Sequence, residues 1–542
     1  MTAPAGRHRA TAARLVPDPR GRNGTRPAGG SGATPAGGGG TDGGESVRRS
    51  ARSGALGLAG AAVSGLFGFL LTVVVTRGFG TAGSGAFFAL VGVITVAGAL
   101  CCLGADTGLI WALPRWRDRG VRILMVALVP PLLASVLLAG AVAAAAGALA
   151  PRLLPDAGGD GVVLLRLVAA ALPVAVAMTL LLAAVRAVRP IRHYVAVQFL
   201  LLPISRPVLV GAVALAGAGL VAAAIGWLVP VAVAVLVCAA MLVPALRGAG
   251  GARPDGTDWR RFWGFASARA ASAAIDAASM WVGVLLTAAL AGQSEAGVFG
   301  AVGRYVLAGQ LAMQGLRVAV APQLSALLGA GRRADAAAVH RQTTTWVIVL
   351  SWPVYLLLAF FAPGFLRLFG SGFTAGTGAL TVLAVAMLVN VGLGNVQTLL
   401  LMSGASRIHL AAAAAGLAVT LGGGIALIPR YGALGAALAW AGGIVVENVS
   451  AALAARRVIG EPLLSAALVR TALGVGAAVC AVGAAVAVPA GRGVLPLLVA
   501  VGVLALGAGG ALAVPGVRRR VTGVVATLRP RPGAVSENRE GR

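Results

Sequence analysis

Lysine is absent from the chain, so all 44 basic residues are arginines, and only 16 residues are acidic. A phosphate-binding loop of the GxxxxGK(S/T) type needs a lysine, and so does a Schiff base. The sequence therefore excludes ATP hydrolysis by such a loop and covalent catalysis through a lysine.

Cysteine and histidine are scarce, with four residues of each. The cysteines (Cys101, Cys102, Cys238 and Cys480) lie in apolar runs and form no CxxC pair, and the histidines belong to no HExxH motif or similar ligand set. Such spacings indicate neither a disulfide framework nor a zinc site. We therefore expect neither a metal nor a cofactor.

Charged residues make up only 11% of the chain and hydrophobic residues 58%, whereas soluble domains carry about 25% charged residues. Apolar runs of about 18 residues or more recur, and each is long enough to cross the ~30 Å hydrocarbon core of a bilayer. An all-α integral membrane protein is therefore predicted. The formal charge of +28 comes from arginines in the tails and in short connections, which is typical of topology signals and not of a nucleic-acid-binding face.

The apolar runs predict about fourteen transmembrane helices. Their approximate limits are residues 54–76, 86–111, 123–149, 161–185, 195–216, 220–246, 262–290, 297–324, 343–366, 377–402, 409–428, 432–454, 466–488 and 494–514.

The distribution of arginine predicts the orientation of these spans. The even-numbered connections hold most of the loop arginines, whereas the odd-numbered ones hold only Arg77, Arg152, Arg367, Arg430 and Arg492. By the positive-inside rule, the even-numbered connections lie in the cytoplasm. Both termini are then cytoplasmic, with a Gly/Pro/Arg-rich tail at 1–50 that we expect to be disordered and a basic tail at 515–542. The location predicted is the cytoplasmic membrane.

The chain also resembles itself at an offset of 212 residues. The stretch GTAGSGAFFA, which begins at Gly80, recurs as GQSEAGVFGA, which begins at Gly292. Six spans separate the two copies, and six is even, so both copies have the same orientation. This predicts two six-helix lobes at 51–246 and 262–455, with two further helices at 466–514. Repeats of this kind are typical of transporters, whose substrate site lies between the halves.

The seventh span carries a polar stripe. Its members, Arg269, Ser272, Asp276 and Ser279, are spaced i, i+3, i+7 and i+10, which places them on one face of a helix. A charge near the bilayer centre costs about 2.5–3.5 kcal/mol even on a lenient scale. The stripe therefore faces either a neighbouring helix, with Arg269 paired to an acid, or a cavity that binds substrate.

Two further arginines lie within predicted spans. Arg304 is in the eighth span, and Arg206 is in the fifth, between Pro203 and Pro207. We expect these prolines to kink or break the helix beside the charge. Both arginines are candidate cavity residues, since intramembrane ionisable groups mark functional sites.

Two acids, Asp106 and Glu447, are expected near the inner halves of the second and twelfth spans. Each is either a counter-ion for an arginine or a site of ion or proton coupling. Intramembrane arginine exceeds intramembrane acid, so the predicted cavity suits an anionic substrate. Phosphate is the natural partner of a guanidinium fork, and this points to a diphosphate-bearing lipid.

Four segments resemble the Wzx-type polysaccharide flippases, in the superfamily that also holds the lipid II flippase and the multidrug and toxin extrusion antiporters. They read VVVTRGFGTAGSGAFFAL, EAGVFGAVGRYVLAGQLAMQGLRVAVAPQLSALLGAGR, APGFLRLFGSGF and LIPRYGALGAALA, in that order. The resemblance extends over about residues 50–515. The first span carries no charge, where the lipid II flippase has cavity arginines, so lipid II itself is a weaker expectation.

This resemblance implies alternating access by two six-helix lobes plus two helices, and a cationic central cavity. The implied substrate is a polyprenyl-diphosphate-linked oligosaccharide, moved from the inner to the outer leaflet for polysaccharide, lipopolysaccharide or cell-wall glycan synthesis. The implied partners are membrane lipids and the glycosyltransferases or polymerase of that synthesis.

Two alternatives remain open. A cation-coupled multidrug antiporter would need a buried acid in the first lobe, where Asp106 is the candidate. A non-transporting scaffold of a glycan-synthesis complex would not need the intramembrane arginines. An enzyme is not expected, because the outer connections are short and the first of them, 77–85, contains no acid.

Overall fold

A computed structural model describes residues 42–246 and 255–513. Over these residues the chain is helical, without a strand, and ten of its helices are long and apolar enough to cross a membrane. The predicted all-α membrane fold is therefore confirmed. Most of the two predicted tails lies outside the described residues.

Seventeen α-helices occur in the described residues. In chain order they are α1 (Asp42–Cys102), α2 (Ala105–Ala112), α3 (Gly120–Leu153), α4 (Gly158–Val188), α5 (Ile191–Val195), α6 (Leu202–Leu215), α7 (Leu220–Leu246), α8 (Gly256–Ala291), α9 (Gln293–Ala308), α10 (Leu311–Gly329), α11 (Arg333–Phe360), α12 (Ala362–Leu366), α13 (Thr377–Leu393), α14 (Val396–Met402), α15 (Ser406–Ile459), α16 (Ala466–Ala490) and α17 (Val494–Ala513). Short 3-10 helices cover Arg117–Arg119, Pro155–Ala157 and Ser371–Gly376, and a π-helical turn covers Ala196–Leu201.

Two long helices each join two predicted spans, although the second predicted span (86–111) is broken after Cys102 and continues in α2. Helix α1 bends at Gly80 (φ 65°, ψ −166°) and α15 bends at Gly432 (φ 52°, ψ −128°), so each predicted connection shrinks to a kink. Glycine adopts positive φ without steric cost. At the second kink, the backbone N–H of Ala433 donates to the Glu295 carboxylate at 2.7 Å. This bond satisfies a donor at the point where the helical pattern is interrupted.

The eighth predicted span is two helices, α9 and α10, which meet at Gly309 and Gln310. Tyr355 of α11 packs into this break, and its hydroxyl donates to the carbonyl of Val306 at 2.9 Å. A Cβ at Gly309 would lie 2.5 Å from the Tyr355 ring. Glycine is therefore required at this break by the close approach of a tyrosine.

The fifth predicted span corrects one expectation. Pro203 and Pro207 do not break the helix, since α6 runs unbroken from Leu202 to Leu215. The irregularity precedes them, where the N–H of Leu202 donates to the carbonyl of Val197 in the π-helical turn. A proline clashes with the carbonyl four residues earlier, and the wider turn just before Pro203 accommodates its ring.

The buried apolar residues form several clusters. One lies mainly within residues 86–242, and two others lie mainly within the region predicted as the second lobe. Helix α8 packs on both sides of this division, since Phe262 and Ala266 belong to the first cluster whereas Trp281 and Val284 belong to the second. The division into two lobes stays a prediction, because residues from Ser50 onwards form one compact unit.

Hydrogen bonds connect repeat-related segments on the predicted outer face. The Arg77 guanidinium donates to the carbonyls of Arg367 (3.0 Å) and Leu368 (2.9 Å), and the backbone N–H of Gln293 donates to the Asp156 carboxylate (3.3 Å). Each link joins the segment beside Gly80 or Gly292, the equivalent glycines of the two repeats, to the turn after the third span of the other repeat. We call these five residues the clasp.

Candidate functional site

A cavity of about 720 Å³ lies among α1, α2, α4, α6, α7, α8 and α9. Its wall is mostly apolar, and its few polar groups come from distant parts of the chain. The polar and charged lining residues are Thr72, Thr95, Asp106, Thr179, Gln198, Arg206 and Arg304, with Trp227 and Trp281 among the aromatic ones.

The second limb of α1 forms one long wall of this cavity. Phe87, Val91, Ile94, Gly98 and Cys102 all line it, at intervals of three or four residues that mark one face of a helix. At 1.5 Å per residue, this face follows the cavity for about 22 Å. The cavity is therefore deep enough to reach through much of the ~30 Å hydrocarbon layer.

Arg206, on α6, lines the same cavity and lies against an aromatic ring. Its guanidinium carbon lies 4.3 Å from the centroid of the Trp227 ring, across the packed helices α6 and α7. The buried Nε has no hydrogen-bond partner among the described residues. A desolvated cation–π contact contributes about 2 kcal/mol, which partly offsets the cost of a charge in the membrane.

Arg304 of α9 is held in a similar way. Its guanidinium carbon lies 5.8 Å from the ring centroid of Phe88 and 5.7 Å from that of Trp281. It also lines a small second cavity of about 50 Å³, together with Ser279 and Thr420. Two arginines thus reach the central cavity from different helices, and each of them contacts aromatic rings.

Asp106 lies in the first turn of α2, just after an abrupt turn. Leu103 (φ 51°) and Gly104 (φ 76°) are both left-handed there. A Cβ on Gly104 would lie 2.3 Å from the carbonyl oxygen of Ala266 in α8, so only glycine fits. The Oδ1 atom of Asp106 is buried without a hydrogen-bond partner in the described part of the chain.

The threonines of the wall already use their hydroxyl hydrogens. Thr72, Thr95 and Thr179 each donate to the carbonyl four residues earlier in their own helix, at 3.1, 2.6 and 3.0 Å. A hydroxyl that donates in this way keeps its lone pairs for accepting. Hydrogen-bond donors directed at a ligand must therefore come mainly from Arg206, Arg304 and the Gln198 amide.

The members of the predicted polar stripe on α8 do not all face one cavity. Arg269 is exposed and is absent from the lining of both cavities, whereas Ser279 lines the small one. The side chains of Ser272 and Asp276 lie outside the described residues. Helix α8 contributes Ala273, Met280 and Trp281 to the central cavity instead.

Glu447, the other predicted coupling residue, lies away from the central cavity lining. It accepts a hydrogen bond from the Gln397 amide at 2.6 Å, between α14 and α15. Of the two predicted acids, the structure places Asp106 on the same cavity wall as Arg206 and Arg304, and Glu447 in a separate polar contact.

Sequence reasoning missed Trp227, Trp281 and Gln198. An isolated glutamine in an apolar span was a signal for Gln198, because an unpaired amide is costly in hydrocarbon. The tryptophans gave no comparable signal, since a tryptophan in a membrane span usually reads as packing or as an interface anchor.

Three solved structures illustrate the similarity of the fold. A multidrug resistance MATE-family transporter of the MOP superfamily, in an inward-facing conformation, shares 18% identity, with 75% of this chain and 96% of that chain covered and a TM-score of 0.59. The lipid II flippase MurJ, in an inward closed conformation, shares 10% over 82% and 98%, with a TM-score of 0.60. A MOP-superfamily transporter from Pyrococcus furiosus, described by the reverse polarity of its binding pocket, shares 18% over 76% and 95%, with a TM-score of 0.52.

The fold of this chain is similar to the folds of these three proteins. At these sequence identities the similarity supports a shared fold, but it does not support a shared substrate or mechanism. No protein-family model matches the chain, and neither does any curated protein. The chemistry of the site must therefore be argued from this chain's own residues.

Proposed function

We propose that the protein is a flippase that moves a polyprenyl-diphosphate-linked oligosaccharide from the inner to the outer leaflet of the cytoplasmic membrane. The observation that supports this most is the placement of Arg206 and Arg304 on the wall of one deep cavity. MurJ, whose fold is similar, is described as a lipid II flippase.

A diphosphate is the ligand chemistry that such a cavity suits. Guanidinium groups form bidentate, charge-assisted hydrogen bonds to phosphoryl oxygens. Among the described side chains that line the cavity, Asp106 is the one acid, against two arginines, so these side chains together carry a surplus of positive charge. In a low-dielectric cavity this surplus is strongly attractive to an anion and repels organic cations.

In this proposal the two repeats supply the alternating access. The glycan and diphosphate occupy the polar cavity while the polyprenyl tail stays in the bilayer. Glycosyltransferases supply the lipid-linked glycan on the inner side, and a polymerase or ligase consumes it on the outer side. The protein itself makes and breaks no covalent bond.

The decisive experiment is reconstitution of the purified protein in liposomes with a fluorescent polyprenyl-diphosphate-linked N-acetylglucosamine. Translocation is measured as the loss of lipid from the leaflet that a membrane-impermeant quencher reaches. The wild-type protein should accelerate translocation, and Arg206→Ala and Arg304→Ala should abolish it. Arg152→Ala is the matched control, because Arg152 is an exposed arginine outside the cavity.

A second candidate is a cation-coupled multidrug antiporter, which is favoured by the buried Oδ1 of Asp106 on the cavity wall. A MATE-family transporter of similar fold is described as a multidrug resistance protein. Proton- or sodium-driven efflux of a cationic dye from the same liposomes, lost in Asp106→Asn and kept in the arginine variants, would establish this function in place of the flippase. No acceleration by the wild-type protein in liposomes, together with glycan export that persists in cells carrying either arginine variant, would favour a scaffold.

A further inference from the structure

We infer that Asp106 and Gln198 form a subsite for sugar hydroxyls, which makes the cavity select glycosylated polyprenyl diphosphate over bare polyprenyl diphosphate. The inference rests on the proposed flippase function and names what decides its specificity. Two local irregularities of the backbone place these two side chains on the cavity, and the buried Oδ1 of Asp106 supports their assignment.

The first irregularity fixes Asp106. The left-handed pair Leu103 and Gly104 separates α1 from α2, and Gly104 is locked against the Ala266 carbonyl of α8. Non-glycine residues at positive φ cost about 1–3 kcal/mol and cluster at functional sites. The turn places Asp106 at the N-terminal end of an eight-residue helix, where the helix dipole stabilises a carboxylate.

The second irregularity directs Gln198 into the cavity that Arg206 also lines. In a regular helix, residues eight positions apart point about 80° away from each other. The π-helical turn Ala196–Leu201 accommodates one extra residue. The eight positions from Gln198 to Arg206 therefore cover about two turns, which seven residues cover in a regular α-helix. Both side chains therefore reach the same cavity.

Arg206, Asp106 and Gln198 differ in hydrogen-bonding chemistry, so each suits a different part of the ligand. The Arg206 guanidinium has only donors and suits phosphoryl oxygens. A carboxylate has only acceptors, so Asp106 repels a phosphate and accepts from hydroxyl or amide N–H groups. The Gln198 amide can both donate and accept, which matches a hydroxyl. Bare diphosphate offers nothing to Asp106, whereas a sugar attached to it offers several hydroxyls.

The buried Oδ1 of Asp106 is the strongest support for this assignment. An acceptor buried without a partner is costly, and native structures retain few such atoms. Arg206 Nε, buried in the same cavity, is likewise without a partner in the described residues. A donor-rich, anionic ligand satisfies both atoms at once.

The test measures the affinity of the full-length, detergent-purified protein for two probes, polyprenyl diphosphate and polyprenyl diphosphate carrying N-acetylglucosamine. For Asp106→Asn we expect affinity for the glycosylated probe to fall about tenfold or more, the size expected for loss of a charged hydrogen bond. Affinity for the bare probe should stay unchanged or rise, because a repulsive charge is removed. Gln198→Leu should weaken only the glycosylated probe.

Matched controls are Asp160→Asn and Gln314→Leu, which remove an exposed carboxylate and an exposed amide elsewhere and should leave the affinity ratio unchanged. If the wild type prefers neither probe, or if Asp106→Asn weakens both probes in parallel, the hydroxyl subsite is wrong while the flippase survives. If the wild type binds neither probe, the flippase proposal itself fails.

Discussion

Gly85 and Gly297, which occupy equivalent positions in the two repeats, pack against each other across the predicted outer face. A Cβ on Gly85 would lie 1.8 Å from the carbonyl oxygen of Gln293 and 2.8 Å from the nitrogen of Gly297. A Cβ on Gly297 would lie 2.0 Å from the carbonyl oxygen of Thr81 and 2.9 Å from the nitrogen of Gly85. Thr81 and Gln293 are themselves 212 positions apart, so the contact has the reciprocal pattern of a two-fold axis.

This contact predicts that a single methyl group is poorly tolerated at either glycine. Gly85→Ala and Gly297→Ala should each destabilise the protein by about 1–3 kcal/mol, the usual cost of overpacking, and should slow translocation by preventing closure. Thermal unfolding in detergent and the liposome assay measure the two effects. Gly140→Ala is the control, since nothing lies within 4 Å of its added Cβ; equal behaviour of all three variants would contradict the prediction.

The clasp predicts a shift in conformational equilibrium. Arg77→Ala removes the hydrogen bonds to the carbonyls of Arg367 and Leu368. Because Arg77 is exposed, we expect these two hydrogen bonds together to stabilise the closed form by only about 1 kcal/mol. That value corresponds to roughly a fivefold larger population of the form open on this face. The two halves should therefore separate more often at their predicted outer ends.

A reporter cysteine measures this opening. Ser84 is buried beside the clasp, so Ser84→Cys in a background without native cysteines reports access from the outer side to a membrane-impermeant thiol reagent. We expect several-fold faster labelling when Arg77→Ala is added, and no change with Arg152→Ala. Equal labelling in the two backgrounds would mean that the clasp does not hold this face closed.

The start of α8 predicts a dependence of stability on pH. Asp255 accepts from the backbone N–H of Asp258 and of Thr257, each at 2.8 Å, while the Asp258 carboxylate accepts from the N–H of Asp255. The bond from Asp258 N–H, helped by that from Thr257 and by the charges of Arg119 and Arg122, lowers the pKa of Asp255. A lowered pKa stabilises the fold above the unfolded value of about 3.9, and this is lost as pH falls through the folded value.

Asp255→Ala should therefore lower the unfolding temperature at pH 7 and have a smaller effect near pH 3. Asp255→Asn should lie between the wild type and Asp255→Ala at pH 7, because asparagine is also a good helix N-cap but lacks the charge. Thermal unfolding of the three proteins at both pH values tests this. If Asp255→Ala lowers the unfolding temperature by the same amount at pH 3 as at pH 7, the charge of Asp255 does not contribute to stability.

The all-helical membrane fold was predictable because hydropathy and span length are properties of each segment alone. The kinks at Gly80 and Gly432 were predicted only as connections, since a single glycine with positive φ continues into the next helix without a polar loop. The repeat was visible at Gly80 and Gly292, and the structure shows that both have positive φ. A backbone need of this kind explains why glycine recurs there.

The cavity wall was predictable only in part. Arg206, Arg304 and Asp106 are recognisable because charge is costly in a membrane, but Arg269 satisfied the same criterion and is absent from the cavity lining. Which charge faces a cavity depends on how helices pack. The π-helical turn leaves no sequence signature, since one extra apolar residue does not alter hydropathy, and without it Gln198 does not share a face with Arg206.

The contact between Arg206 and Trp227 predicts a non-additive pair of substitutions. Trp227→Leu should reduce translocation about thirtyfold, because a desolvated cation–π contact contributes about 2 kcal/mol. Arg206→Gln should reduce it further, by removing the charge that the substrate needs. Since the tryptophan acts by positioning the arginine, the double variant should be no worse than Arg206→Gln alone.

The same cycle separates positioning from general packing. If Trp227 only filled space, its loss would lower translocation by the same factor whether or not Arg206 is present, and Trp227→Phe would behave like Trp227→Leu. If it holds the guanidinium, Trp227→Phe should retain much of the activity, because a phenylalanine ring still offers a face to the cation. Initial translocation rates of the four cycle members and Trp227→Phe, in liposomes with matched protein content, decide between these accounts.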